Sequence, residues 1–374
     1  MPDELTANHP SRRVFRFIES HSRADGTVVT ASNDGRFNEL ALELFAFQFK
    51  QNESYRKFCE LRNCALGSVD QWSLVPAVPT TAFKEFELSC LKPEVRTQVF
   101  HSSGTTVQKP SRHFHGIASL EVYNASLKPW FRRHIIPKLA NPTAHILSLT
   151  PPPPAAVHSS LAHMMQVVIS EFGNGKSVFV GTVGKDGIWE IDAASACAHL
   201  DERIKRNERA TVLGTAFNFV HLLDHLIAKR RILNLPTGST VMETGGYKGR
   251  SRELPKAELH KLISKHLGVA PGDIVCEYGM SELSSQAYDR IAGEATQDRV
   301  FHFPPWARSR IVSPETGKDV ATGETGLIQV FDLANAFSVM AIQTEDLAVR
   351  RENGFELIGR AGASEPRGCS LMAV

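Results

Sequence analysis

Five short apolar runs, His145–Leu149, Ser177–Val180, Ala210–Gly214, Ser239–Met242 and Asp273–Cys276, alternate with stretches of helix-forming sequence, and no other feature limits the fold so tightly. Helical periods fall at Phe217–Arg231 and Leu254–Leu267. Strand and helix in alternation bury their apolar faces by laying helices over a largely parallel sheet, which predicts an α/β architecture. Upstream, Leu40, Leu44, Phe45, Phe49 and Phe58 recur at roughly helical spacing within Asn38–Arg62 and predict a helical N-terminal section. Beyond about Val300 the pattern changes to short strands with turn signals, among them Ser309–Val312 and Gly326–Phe331, which predicts a small β-rich subdomain. At 374 residues the chain exceeds the size of about 250–300 residues at which one core stops growing, so more than one lobe is expected.

Charge and cysteine usage narrow the partners. With 42 basic and 40 acidic side chains the net charge is +2, which gives no reason to expect nucleic acid as a partner. The six cysteines, at 59, 64, 90, 197, 276 and 369, have neither the density of a disulfide scaffold nor C-x-x-C metal spacing, so a reducing cytoplasm is the expected setting. Met1–Thr6 lacks the basic-then-apolar order of a signal peptide, and no stretch reaches the roughly 18 apolar residues of a membrane span.

Four segments, in order, carry the chemistry. In His101–Pro110, Ser102, Ser103, Thr105 and Thr106 supply hydroxyls and Gly104 a close backbone approach, with Lys109 beside them, a composition suited to wrapping a triphosphate. Val275–Glu282 delivers an aromatic, Tyr278, then Gly279, the hydroxyl of Ser281 and the carboxylate of Glu282 to one turn after an apolar run. An aromatic ring stacks on a purine and a hard cation takes carboxylate oxygen. In Gln343–Leu347, Asp346 is placed to accept from ribose hydroxyls, and Ile358–Arg360 precedes a short tail. Each segment alone also reads as a solvated turn.

The order and spacing of the four resemble the adenylate-forming superfamily of acyl- and aryl-CoA ligases. Val78–Lys84, Glu243–Arg250 and Arg367–Leu371 are most similar to its acyl-protein synthetase subgroup, known from the fatty-acid reductase system of bacterial bioluminescence. The resemblance covers roughly Val78 to the end. It implies an adenylate-forming large domain with a helical N-terminal section over 1–95, an α/β nucleotide-binding core over 96–300, a β-rich subdomain over 301–358 and a hinge-derived tail over 359–374. It also implies ATP and Mg²⁺ as cofactors, with Glu282 on the metal, Tyr278 beside adenine, Asp346 on ribose, Gly245 and Gly246 close to the nucleotide, and Arg360 at a hinge with either the ribose or a hinge carboxylate as its partner. Two departures stand out. Val107 replaces the usual last glycine of the phosphate loop, and the chain stops 14 residues after Arg360, where related ligases continue as a cap domain carrying a catalytic lysine.

In place of that cap stands Cys369. The subgroup implies that this thiol carries an acyl group, and thiol chemistry agrees, because the thiolate is the nucleophile and Arg367 favours ionisation. Ten residues from Gly359 to Cys369 span at most about 33 Å. The implied reaction activates a long-chain fatty acid as acyl-AMP, moves it to Cys369, and hands it to an acyl-CoA-reductase-like partner. A CoA ligase using free CoA, or a binding protein without turnover, are the alternatives.

Lys84, Lys248 and Arg250 read either as phosphate contacts or as solvated surface charge. Pro151–Pro154 predicts an extended connector, and Ala155–Met165 either lines an acyl pocket or forms an ordinary buried helix. Gly173–Ser177 imitates a P-loop ending but precedes a strand, so it is read as a turn. His113 and His115 share a strand face without a patterned third metal ligand.

Overall fold

The computed structural model describes residues 9–22, 28, 34–102, 109–137, 143–185, 187–246, 253–295 and 298–360. Helices α1 (Pro10–His21), α2 (Asp34–Gln51) and α3 (Glu53–Glu60) come first, then the two-residue strand β1 (Val78–Pro79), the single turn α4 (Ala82–Glu85) and the hairpin β2 (Gln98–His101) and β3 (Arg112–His115). A long helix, α5 (Ile117–Ile135), leads into β4 (His145–Ser148), α6 (Ser160–Phe172), β5 (Val178–Phe179), the hairpin β6 (Gly181–Val183) and β7 (Trp189–Ile191), and α7 (Ala193–Arg206). There follow β8 (Ala210–Thr215), α8 (Ala216–Ala228), β9 (Thr240–Thr244), α9 (Lys256–Leu267), β10 (Ile274–Tyr278) and β11 (Ala287–Tyr288). The chain then runs through β12 (Ala307–Val312), β13 (Thr325–Asp332), β14 (Ala341–Arg351) and β15 (Gly354–Arg360).

All five apolar runs form strands of one sheet, ordered β11-β10-β9-β8-β4-β5, and β10, β9, β8, β4 and β5 pair in parallel. Their side chains are buried along β8, β9 and β10, as expected for a sheet covered by helices on its faces. Caps fix the joints. Thr215 and Asn218 form a reciprocal capping box where β8 passes directly into α8, and Asp192 accepts from Ser195 N–H at the start of α7. The second sheet runs β1-β14-β13-β12 with β15 also on β14, and all its pairings are antiparallel except that of β1. Its edge strand β1 comes from the section read as helical.

Of the N-terminal helices, α2 meets the second sheet and its turns, with the Arg308 guanidinium of β12 over the Phe37 ring. In α2, Phe37, Leu40, Ala41, Leu44, Phe45, Gln48 and Phe49 form the buried stripe. Gln48 is fully buried, its amide donating to the Asn335 carbonyl at 2.9 Å while its oxygen accepts from Met340 N–H at 3.0 Å. Asp332 is equally buried and accepts from Ser284 N, Ser285 N, Ala334 N and the Ser285 hydroxyl, at 2.7–3.0 Å. Ser285 Oγ in turn meets Ser126 Oγ of α5 at 2.8 Å, and Ser126 accepts from the Trp306 indole at 2.7 Å.

Pro151–Pro154 does not run as an extended connector. Pro153–Ala155 makes a 3₁₀ turn closed by Ala155 N–H to Pro152 O and Ala156 N–H to Pro153 O. The turn is available because the two donors come from alanines, outside the proline run. Gly181 lies against this loop so closely that a Cβ there would stand 2.3 Å from the Thr150 carbonyl carbon. Gly173–Ser177 is the turn from α6 to β5.

Candidate active site

Parallel strands end on one edge of a sheet, and ligands of open α/β sheets bind in the crevice outside those carboxyl ends. Here β9 ends at Thr244 and passes into Gly245 and Gly246, and β10 ends at Tyr278 and passes into Gly279–Glu282. Gly245 takes φ +66°, a left-handed turn that a side chain disfavours. Gly279 is needed for space instead, since a Cβ there would lie 2.3 Å from Glu277 Oε1.

The turn after β10 meets the β2–β3 hairpin through serines. Ser102 and Ser111 exchange hydrogen bonds, Ser102 N–H to Ser111 Oγ at 3.2 Å and Ser111 N–H to Ser102 Oγ at 3.0 Å. Ser111 Oγ lies 3.5 Å from Ser281 Oγ, and Ser281 donates to Glu282 Oε2 at 2.9 Å. His113 Nδ1 donates to the Ser281 carbonyl at 2.9 Å, and burial brings this imidazole's pKa down to about 4, so the ring is neutral at pH 7. Asn335 donates to the Glu282 carbonyl at 2.8 Å. The Glu282 carboxylate is thus held by its neighbours on a buried turn, and an oxygen donor in that company matches a hard divalent cation such as Mg²⁺.

Tyr278 anchors the other side. Its ring is buried edge-on to Phe301, Phe303 and Phe355, with centroids 5.4–6.3 Å away, and its hydroxyl donates to Asp346 Oδ2 at 2.9 Å. Burial pushes the Asp346 carboxyl above its ordinary value, with Tyr278 and Arg360 pulling in the opposite direction. Arg360 stands across the β14–β15 ladder from Asp346, Nε 3.9 Å from Oδ1, so its guanidinium faces this carboxylate. Behind Gly279, Glu277 accepts from the Thr244 hydroxyl, and burial raises its pKa to about 7.

The structure therefore brings Ser102, Ser281 and Glu282 together, and Tyr278 with Asp346 and Arg360. Lys109 points elsewhere, its ammonium 3.4 Å from Glu85 Oε2 on the exposed face of α4. Ser103, Gly104, Thr105, Thr106, Lys248, Arg250 and Cys369 lie outside the described residues. Ser111 had no sequence signal of its own, since one serine past a Ser/Thr-rich loop looks like more of the loop, and His113 stood out only for its strand spacing from His115. Their role depends on a partner about 170 residues away, 170 for Ser111 and 168 for His113.

A family model described as acyl-protein synthetase, LuxE, matches residues 29–373. The sequence is 25% identical to a long-chain-fatty-acid–luciferin-component ligase of Aliivibrio fischeri over 97% of this chain and 96% of that one. A ligase of the same description from Vibrio harveyi is 24% identical over 89% of this chain and 86% of its own. Among solved structures, a 2-hydroxyisobutyryl-CoA ligase in complex with 2-HIB-AMP aligns with a TM-score of 0.62 at 14% identity, covering 89% of this chain and 69% of that one. That likeness is one of fold alone.

Proposed function

Because this chain belongs to the acyl-protein synthetase (LuxE) family and is a ligase, we propose that it activates a long-chain fatty acid as acyl-AMP, transfers the acyl group to its own Cys369, and passes it to a reductase partner in the cytoplasm. The observation that carries this reading is the meeting, at one sheet edge, of Ser102, Ser111, Ser281 and Glu282 with the Tyr278–Asp346 pair.

In the first half-reaction a carboxylate oxygen attacks the α-phosphorus of ATP, the new P–O bond forms, and the bond to pyrophosphate breaks. Ser102 and the loop residues Ser103, Gly104, Thr105 and Thr106 bind phosphate oxygens as donors, and Lys109 joins them by leaving Glu85. Mg²⁺, when bound, neutralises charge on those oxygens, with Glu282 as its ligand. Tyr278 and Gly279 border the adenine, Gly245 and Gly246 let backbone lie against the nucleotide, and Asp346 accepts from the ribose. Ser281 orients the Glu282 carboxylate, which is why a fixed dipole network here counts toward catalysis. In the second half-reaction the Cys369 thiolate attacks the carbonyl carbon, the C–O bond to AMP breaks, and a thioester remains. Arg360, 3.9 Å from Asp346, shares the ribose-side cluster with it.

Intact-protein mass after incubation with ATP, Mg²⁺ and a ladder of fatty acids tests this. A hydroxylamine-labile acyl adduct is expected on the wild type and absent from Cys369→Ser, with pyrophosphate released by both. Pyrophosphate release without any adduct would sink the cysteine step and point to a free thiol such as CoA as acceptor. No pyrophosphate release with any acid would sink the activation step.

A further inference from the structure

Behind the sheet edge, between β9, β10 and α9, three side chains with no part in acid activation turn their ligand atoms toward one another. Glu243 on β9 stands opposite Cys276 on β10 in the parallel register, and His260 comes down from α9. Cys276 Sγ is 3.1 Å from Glu243 Oε2 and 3.5 Å from His260 Nε2, and His260 Nε2 is 3.3 Å from the same carboxylate oxygen. All three are at least nine-tenths buried, with exposures of 1%, 0% and 6% for Glu243, Cys276 and His260. Among the described residues this is the one trio of His, Cys, Asp or Glu side chains with ligand atoms within 4.8 Å of one another.

We propose that Glu243, His260 and Cys276 form a binding site for a transition-metal dication of borderline softness, Zn²⁺ being the natural occupant. Zinc takes thiolate at about 2.3 Å and imidazole or carboxylate at about 2.0–2.2 Å, so tetrahedral angles put its ligand atoms about 3.3–3.6 Å apart. Two edges of the triangle, 3.3 and 3.5 Å, fall in that range before any metal enters, and the sulfur–carboxylate edge of 3.1 Å needs to open slightly to admit one. A thiolate, an imidazole and a carboxylate together select zinc over Mg²⁺ or Ca²⁺, which want oxygen alone.

Binding exchanges the Cys276 S–H bond for a metal–sulfur bond and releases one proton to solvent. Two cations stand outside the triangle as supports. Lys256 Nζ is 3.7 Å from Glu243 Oε2, and Arg299 Nη1 is 3.6 Å from Cys276 Sγ while paired with Asp289 at 2.6 Å. Both are N–H donors aimed at ligand atoms, the arrangement that orients first ligands and steadies a thiolate. The Asp289 charge offsets that of Arg299. The site is separate from that of the nucleotide yet tied to it by strand position: Cys276 lies two residues before Tyr278, and Glu243 two before Gly245. A bound metal would clamp β9, β10 and α9 together just behind the turns that face ATP.

The test uses the full chain, stripped with a chelator, then titrated with Co²⁺ and afterwards Zn²⁺. One equivalent of Co²⁺ with a sulfur-to-cobalt absorption band is expected, displaced by Zn²⁺, and Zn²⁺ should raise the melting temperature of the stripped protein. Cys369→Ala should keep the band, Cys276→Ala should lose it, and His260→Gln should weaken zinc binding by about tenfold or more. A stripped wild type with no sulfur-to-cobalt band and no zinc-dependent melting shift overturns the site. So does a band that survives in Cys276→Ala. The wild-type spectrum requires no substitution, so a misfolded variant cannot obscure the result.

Discussion

At the scale of single residues, Glu277 shows what burial does to a carboxyl. It has no basic partner in hydrogen-bond contact, and its pKa rises from 4.5 to about 7 because desolvation outweighs the hydrogen bond from Thr244. A raised carboxyl pKa means that the folded protein holds a proton the unfolded chain has lost. The stabilisation is therefore complete below about pH 4.5 and lost as pH rises through about 7, on the order of 3 kcal/mol in all. Glu277→Gln should flatten this part of the stability profile, measured as urea midpoints between pH 4.5 and pH 8. An unchanged slope would mean that Glu277 is ionised in the folded state. Glu277 was not legible in the sequence, where it is one acid in a strand. Glu282, by contrast, was, because its place after Tyr278, Gly279 and Ser281 fits a motif that chemistry explains. Lys109 shows the limit of such a reading, since a lysine beside a Ser/Thr-rich loop has an acidic neighbour on α4 that the sequence places 24 residues away.

At the scale of elements, the parallel strands were legible because a strand covered on both faces reads as an unbroken apolar run, and β4, β5, β8, β9 and β10 each coincide with one. The same reading was blind to β1, because two residues contain no period and their partner β14 lies near the other end of the chain. It also missed the hairpin of β2 and β3, whose polar His113 and His115 are buried by neighbours from other elements. The Thr150–Ala156 loop shows a third kind of constraint, close approach. Gly181 of β6 touches its backbone, where a Cβ would come within 2.3–2.6 Å of Thr150 and Pro151 atoms. Backbone on both sides leaves no flexible group to move. Gly181→Ala should destabilise the protein by about 1–3 kcal/mol, read from the denaturant midpoint at constant slope. A variant as stable as the wild type would show that the hairpin shifts without cost.

At the scale of the whole molecule, polar links as well as core packing join the sections. The path from Trp306 to Ser126, Ser285 and Asp332 connects α5, the stretch beyond the β10 turn and the end of β13. Asp332 accepts from every donor around it, and its carboxyl pKa is raised by burial despite four such bonds. Asp332→Asn would turn an amide N–H₂ toward donors, leaving buried groups unmatched at about 1–3 kcal/mol each. The expected result is a lower melting temperature with a broader or split transition, measured by calorimetry. A sharp transition at the wild-type temperature would show that core packing alone couples the sheets. Composition and periodicity led to the expectation of several sections. They carried no information on these cross-links, because hydrogen-bond complementarity between distant segments leaves no local pattern.

Gln48 gives that long-range dependence a place in time. Its amide is made with α2, yet the Asn335 carbonyl it bonds lies 287 residues further along. At roughly 5–20 residues per second, a ribosome needs on the order of 15–60 s to supply that partner. Throughout that interval the apolar stripe of α2 has no sheet to cover it, so the nascent chain depends on whatever shields it until Asn335 and the strands around it have been made.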